Sequence, residues 1–266
     1  MNRPTRRRRK RFGLNVESLE GRQVMSHAPT PAGLIAAYAN SADGNGVAAI
    51  MNALRGGAGS EFVTLIRRGI PNVNSVIRQF ALGRRSEISV KGFSVKTPHF
   101  QPQYTGPQLD QFNPTAAGAV LLKNGQLELG AIMRGPIDLP IATTYSWGID
   151  RGGSAADPQG FGMPGLRYNS IVSVTRVGST VTASIKDLNT GTVTPLDPSG
   201  VRIQGPTIRV FLNNPSSLLP STGLPITKYN FAFWTSSGGD GIHSIGGFVP
   251  GNHSIPIGNL GPARRR

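Results

Sequence analysis

The spacing of hydrophobic residues changes along the chain near Gly83. Before that point, apolar residues recur three and four positions apart, and polar or basic residues fill the gaps. The apolar positions that show this spacing best are Phe62, Leu65, Ile66, Val76, Ile77 and Phe80. Because an amphipathic helix has a period near 3.6 residues, we predict a short helical segment over residues 47–87.

After Gly83 the hydrophobic period falls toward two. Residues 88–96 alternate, and two apolar runs within 118–133 flank Asn124-Gly125, which is a strong β-hairpin signal. Further short runs follow about every ten residues, separated by turns rich in Gly, Asn and Pro. This spacing predicts an antiparallel β-sandwich of the jelly-roll type over residues 88–260.

The strand-like run from Tyr229 to Trp234 shows the alternation most clearly. It places Tyr229, Phe231 and Phe233 on one face, and Trp234 on the other. At least one of these two faces is expected to belong to the core.

Composition supports a mainly β fold. The 266 residues include 35 Gly and 21 Pro, and only 15% are charged, as in turn-rich proteins with short strands. The chain has no Cys, which excludes disulfides, thiolate nucleophiles and zinc–thiolate sites. No run approaches the roughly 18 apolar residues of a membrane-spanning helix, so we expect no membrane span.

The net charge of +15 is concentrated at the two ends of the chain. Residues 1–25 hold eight basic and two acidic residues, and Arg264, Arg265 and Arg266 close the sequence. We therefore expect disordered basic termini: a leader over 1–30, joined by a linker over 31–46, and a tail over 261–266.

The basic run from Arg6 to Arg11 has two interpretations. An arginine-rich arm ahead of a β domain binds nucleic acid well, because each phosphate it neutralises releases counterions. A secretory signal needs an apolar stretch of roughly 7 to 15 residues after its basic start, and residues 12–20 (FGLNVESLE) do not supply one. Physical chemistry alone thus favours the nucleic-acid arm.

A resemblance reverses this preference. Residues 6–26, RRRRKRFGLNVESLEGRQVMS, resemble the N-terminal motif of planctomycete extracellular proteins, with Leu19, Glu20 and Arg22 on motif positions. The resemblance implies export, and therefore an extracellular or cell-surface location.

A second resemblance covers residues 143–250. The ordered blocks YSWGID, VTRVGSTVTASIKDLNTG, IRVFLNNPSSLLPSTG, YNFAFWTSS and GGFVP resemble extracellular β-sandwiches of the DOMON and carbohydrate-binding kind. The resemblance implies a sandwich that binds a ligand.

No motif predicts catalysis. Asp240, His243 and His253 can be combined with Ser244 or Ser254 into a hydrolase triad, but the segment lacks a Gly-x-Ser-x-Gly elbow. The other candidates are carboxylates that a glycosidase would pair within about 10 Å, although turn and cap roles are the more common use. These carboxylates are Asp150, Asp157, Asp187, Asp197 and Asp240. We expect no enzyme activity, cofactor or metal site.

The candidate ligand site is formed by two loops that each follow a Trp. Trp147 and Asp150 lie in WGIDRGG, and Trp234 and Asp240 lie in WTSSGGD. A Trp ring can stack on a sugar, and an Asp can accept hydrogen bonds from its hydroxyls. The alternative is that both Trp residues are buried anchors beneath surface loops.

These observations predict an exported module for adhesion or for binding a glycan, another ligand or a surface protein. One alternative is a nucleic-acid-binding structural protein, such as a capsid subunit, that uses the arm Arg6 to Arg11. A third interpretation is a secreted hydrolase.

Overall fold

A computed structural model describes residues 87–96, 99–138, 140–238 and 241–259 of the chain. Within them the protein consists of two largely antiparallel β-sheets packed face to face, so the predicted mainly β sandwich is confirmed. The predicted helical segment lies outside the described residues apart from Glu87, which begins the first strand. The predicted leader, linker and basic tail also lie outside them.

The first sheet combines four strands that are consecutive in the sequence with two strands from much later in the chain. Its strands, in spatial order, are β1 (Glu87–Val90), β2 (Phe93–Lys96), β3 (Pro114–Leu121), β4 (Leu127–Met133), β10 (Thr207–Leu212) and β9 (Val201–Gln204). A short strand, β14 (Gly258–Asn259), pairs in parallel with β3.

The second sheet has its aromatic strand next to its edge. Its strands, in spatial order, are β12 (Ile245–Val249), β11 (Asn230–Ser236), β5 (Thr143–Asp150), β6 (Ser170–Val177), β7 (Thr180–Asp187) and β8 (Val193–Leu196). The short strand β13 (Ile255–Pro256) pairs with β11. Between the strands lie one turn of helix, α1 (Pro215–Leu218), and 3-10 turns at Asp110–Phe112, Pro198–Gly200, Ile226–Lys228 and Ile242–Ser244.

The Asn124-Gly125 hairpin joins β3 to β4, as predicted. Leu122 N–H donates to the Gln126 carbonyl at 2.8 Å, which leaves a loop of three residues. Gly125 ends the loop with φ of 82°, a left-handed conformation that Gly adopts without steric cost.

Both faces of β11 are buried, and its side chains alternate as predicted. Phe231 and Phe233 enter the core between the sheets, where the Phe233 and Trp147 rings lie 4.8 Å apart. Trp234 points to the other face of the second sheet, into a smaller apolar cluster with Tyr168 and Phe248. The second sheet is therefore covered on both sides near β11.

Candidate functional site

The two Trp residues of the predicted ligand site lie on opposite faces of the second sheet. In the ladder between β5 and β11, Trp147 is opposite Phe233, whereas Trp234 is opposite Ser146. Trp147 is 0% exposed, and Trp234 is 4% exposed. The two rings therefore do not line one cleft, and neither offers a free face for stacking. This is the arrangement of buried anchors that the sequence left as the alternative.

Trp234 is covered by the loop that follows β5. The ring of Phe161 meets it edge-on at 5.8 Å, and Tyr168 lies at 5.2 Å. Gly148 makes this packing possible, since an added Cβ would lie 2.8 Å from Tyr168 Cγ and 2.9 Å from Trp234 Cζ3. The Gly of the WGID sequence thus allows the loop after β5 to pack on Trp234.

Asp150 ends β5 and is buried. Its Oδ1 accepts hydrogen bonds from Gly152 N–H at 2.9 Å and from the Ser154 hydroxyl at 2.6 Å. Its Oδ2 lies 3.9 Å from Arg167 Nε. The carboxylate is thus engaged by its own loop. Because Asp240 lies outside the described residues, a ligand role for the two Asp residues stays a prediction.

Arg151 holds three loops together, and sequence reasoning missed it. Its guanidinium is buried and donates to Asn169 Oδ1 at 2.9 Å, to the Pro220 carbonyl at 3.0 Å and to Asp187 Oδ2 at 2.9 Å. Burial acts to raise the pKa of Asp187, but hydrogen bonds from Asn189 N–H and from Arg151 outweigh it, so the pKa lies below its usual value. Because all three of its guanidinium nitrogens donate hydrogen bonds inside the protein, Arg151 has a structural role.

The His and Ser residues of the possible triad contact other groups. His243 Nδ1 lies 2.9 Å from the Gln103 carbonyl, and His253 Nδ1 lies 3.1 Å from Asn252 Oδ1. Ser244 Oγ donates to the Gly241 carbonyl, and Ser254 Oγ donates to the Arg167 carbonyl. No Ser–His hydrogen bond is recorded among these side chains.

Two of the carboxylates that the sequence offered to a glycosidase, Asp157 and Asp197, occupy turns, whereas Asp150 and Asp187 end strands and Asp240 lies outside the described residues. Asp157 accepts from Phe161 and Met163 N–H groups, and Asp197 caps the 3-10 turn at Pro198–Gly200 by accepting from Ser199 N–H. That hydrogen bond holds the pKa of Asp197 below its usual value. In the described part of the chain, no three His, Asp or Glu side chains are grouped so that they could hold a metal ion.

An open groove lies on the side of the sandwich where the chain crosses from β8 to β9. Its volume is about 550 Å³, and polar side chains of Gln126, Asp197, Arg202 and Asn213 line it beside Phe211. Gln126 Nε2 donates to Asn213 Oδ1 at 2.7 Å, which ties together two of the amides that line the groove. We call this feature the β8–β9 groove.

The Phe211 ring that lines the β8–β9 groove also contacts a cation from the neighbouring position Arg209. The Arg209 guanidinium carbon lies 5.5 Å from the Phe211 ring centre, within the range of a cation–π contact. Arg202 is opposite Arg209 in the β9–β10 ladder and therefore projects to the same side of the sheet. The groove thus presents hydrogen-bond donors, acceptors and an aromatic ring on paired strands. No local sequence pattern predicts the groove, because its residues come from four separate segments.

Lys96 is an unexpected buried cation on the inner face of β2. Its Nζ would lie 3.3 Å from a Cβ added at Gly247, and it makes no hydrogen bond within the described residues. Burial lowers its pKa from 10.5 to about 8, and the negative charge of Glu87 only partly opposes this.

The chain matches no family model, and comparisons with curated proteins and with solved structures found no similar chain. In the part of the chain that the structure describes, no helix has the length and apolar character needed to cross a bilayer. A functional proposal therefore depends on the geometry of the described residues and on the sequence.

Proposed function

We propose that this protein is an exported, non-catalytic β-sandwich module that binds a glycan in the β8–β9 groove. The observation that carries the proposal is the set of hydrogen-bonding side chains beside the Phe211 ring. Sugars present hydroxyls at their edges and C–H groups on their faces, so amides, a guanidinium and a ring suit them.

The surroundings of the groove favour binding over hydrolysis. Hydrolysis of a glycosidic bond needs two carboxyl groups within about 10 Å of each other. The residues that line the groove include one carboxylate, Asp197, and it caps a turn. The groove also lies on strands and short turns, so little conformational entropy is lost when a ligand binds.

Charge supports a neutral ligand for the sandwich. Residues 87–259 contain eleven Lys and Arg against nine Asp and Glu, a net charge of +2, whereas residues 1–86 contain fourteen against four. A nearly neutral domain is a poor polyanion binder. The leader resemblance at Leu19, Glu20 and Arg22 supports export.

The test is glycan-array binding of the full chain, followed by calorimetry on the best oligosaccharide. We expect Arg202→Gln and Phe211→Leu each to weaken binding about tenfold, the loss expected for one good contact. Arg176→Gln is the matched control, because Arg176 lies in a separate depression beside Pro136 and Ile203.

Equal binding by all three variants would place the glycan elsewhere on the protein. The absence of any bound glycan on a broad array would contradict the proposal itself.

A further inference from the structure

A second cleft opens between the two sheets, where the turn between β6 and β7 comes near β9. Its volume is about 650 Å³, which is within the range of small-molecule sites, about 300–1,000 Å³. Both sheets supply its walls, since Val181 lies on β7 and Ile203 lies on β9. We call this feature the inter-sheet cleft; its apolar lining residues are Pro136, Ile137, Val181, Pro198, Val201 and Ile203.

The strand pairing explains why the sandwich opens at this place. The ladder between β7 and β8 ends at the pair Ala183 and Leu196, and Val181 lies two positions beyond it. The chain then crosses to β9 through the 3-10 turn at Pro198–Gly200. Val181 and Ile203 pack against the core between the sheets but are only partly buried. The cleft therefore exposes an apolar surface that a ligand can remove from water.

Arg176 places a cation where the core pattern calls for an apolar residue. Like Val174, it lies on the inner face of β6, and it is directly opposite Val181 in the β6–β7 ladder. Its Nε donates to the Gly178 carbonyl at 2.8 Å, which anchors the half-buried guanidinium in the lining of the cleft. Burial raises the pKa of Tyr145, and the positive charge of Arg176 partly opposes this, so the charge acts on the interior of the sandwich.

We propose that the inter-sheet cleft binds an amphipathic carboxylate, with its alkyl chain between the sheets and its carboxylate on Arg176. A guanidinium matches the two oxygens of a carboxylate and forms charge-assisted hydrogen bonds with them. The apolar part of the lining is aliphatic, which suits a flexible hydrocarbon chain. This site is separate from the β8–β9 groove and does not depend on glycan binding.

Asp138 is the acidic residue in the lining of the cleft. It is exposed, whereas Arg176 is half-buried. Water and salt screen an exposed charge more than a partly buried one, so attraction by Arg176 outweighs repulsion by Asp138. We expect Asp138→Asn to raise the affinity for a carboxylate about twofold.

The test compares octanoate with octanol by calorimetry on the full chain. We expect octanoate to bind at least about tenfold more tightly, and Arg176→Gln to remove this advantage while it leaves octanol binding unchanged. Lengthening octanoate to decanoate should raise the affinity about tenfold, because each buried CH₂ group contributes about fourfold. Arg202→Gln, in the β8–β9 groove, is the matched control and should bind octanoate as the natural protein does.

A second variant tests the position of the alkyl chain. Val181→Phe fills part of the cleft and should remove the gain from octanoate to decanoate. Val193→Phe should keep that gain, because Val193 is 58% exposed on β8 and does not line the cleft. If Val181→Phe changes the near-ultraviolet circular dichroism of the buried Trp residues, Ile203→Phe makes the same test from the opposite wall.

Four results would overturn the proposal. They are the lack of saturable octanoate binding, equal affinity for octanoate and octanol, unchanged octanoate affinity in Arg176→Gln, and loss of octanoate binding in Arg202→Gln, which would place the ligand in the β8–β9 groove. Glycan binding that is lost in Arg202→Gln while octanoate binding persists would show that the two sites are independent.

Discussion

At the scale of single residues, Lys96 shows how a buried charge makes stability depend on pH. Its pKa is about 8 in the folded protein and 10.5 in the unfolded chain. Between these values the unfolded chain binds more protons, so the free energy of unfolding rises with pH across this window. Below pH 8 both states are protonated and the full cost of burying the ammonium remains. The difference between these two pKa values corresponds to about 3 kcal/mol.

We therefore expect Lys96→Met to be more stable than the natural protein at pH 7, by up to about 3 kcal/mol. The gain should shrink between pH 8 and 10.5. Urea unfolding followed by Trp fluorescence at several pH values measures the difference in the free energy of unfolding between the two proteins. The buried Tyr residues are present in both proteins, so their contribution to the pH dependence cancels in this difference. Lys91→Met is the control, since Lys91 is exposed. Equal stability of the natural protein and Lys96→Met at pH 7 would contradict the cost assigned to Lys96.

At the scale of elements, Arg151 links the end of β5 to the ends of two neighbouring strands and to the segment after α1. Asn169 precedes β6, Asp187 ends β7, and Pro220 follows the helix. Asn169 extends the network by donating to the Gly152 carbonyl at 2.8 Å and to Thr222 Oγ1 at 2.7 Å. One planar cation thus contacts three separate segments at this end of the second sheet.

We expect Arg151→Lys to lower the free energy of unfolding by about 2–3 kcal/mol, because a Lys cannot reproduce the fork and leaves buried acceptors unpaired. For a protein of this size the midpoint of thermal unfolding should fall by about 5–10 °C. Arg202→Lys, at an exposed position on β9, should change it by less than about 2 °C. An unchanged midpoint in Arg151→Lys would mean that the loops are held by other contacts.

The hairpin and the alternation in β11 could be predicted from sequence because both depend on neighbours within a few residues. Gly125 adopts its positive φ because it has no Cβ. Strand geometry alone makes successive side chains alternate between the two faces, as those of Phe231, Phe233 and Trp234 do. Local patterns do not say what covers each face. The burial of Trp234 depends on Phe161, which lies 73 positions earlier in the chain.

The contacts of Arg151 were unpredictable for the same reason. They reach 18, 36 and 69 positions along the chain. In the sequence, Arg151 beside Gly152 and Gly153 reads as a solvated loop cation. The β8–β9 groove likewise exists only once β3, β4, β8, β9 and β10 are assembled.

At the scale of the whole molecule, the positive charge lies mainly outside the sandwich. Residues 87–259 have a net charge of +2, and residues 1–86 have a net charge of +10. Any strong interaction with a polyanion would therefore depend on the N-terminal part of the chain, and above all on Arg6 to Arg11. The fate of these residues separates the proposed function from the nucleic-acid alternative.

We expect intact-mass measurement of the protein recovered from outside its native cells to show a chain that lacks the basic run and begins near Ser26. Changing Leu19, Glu20 and Arg22 together to Ala should retain the protein inside, whereas Gln23→Ala should not, because it lies off the motif positions. A chain recovered with Arg6 to Arg11 intact would favour the alternative. In that case RNA affinity should fall with salt at a log–log slope of about −4 to −5, as expected when six cations neutralise phosphates. A flat salt dependence of an intact chain would contradict the nucleic-acid alternative as well.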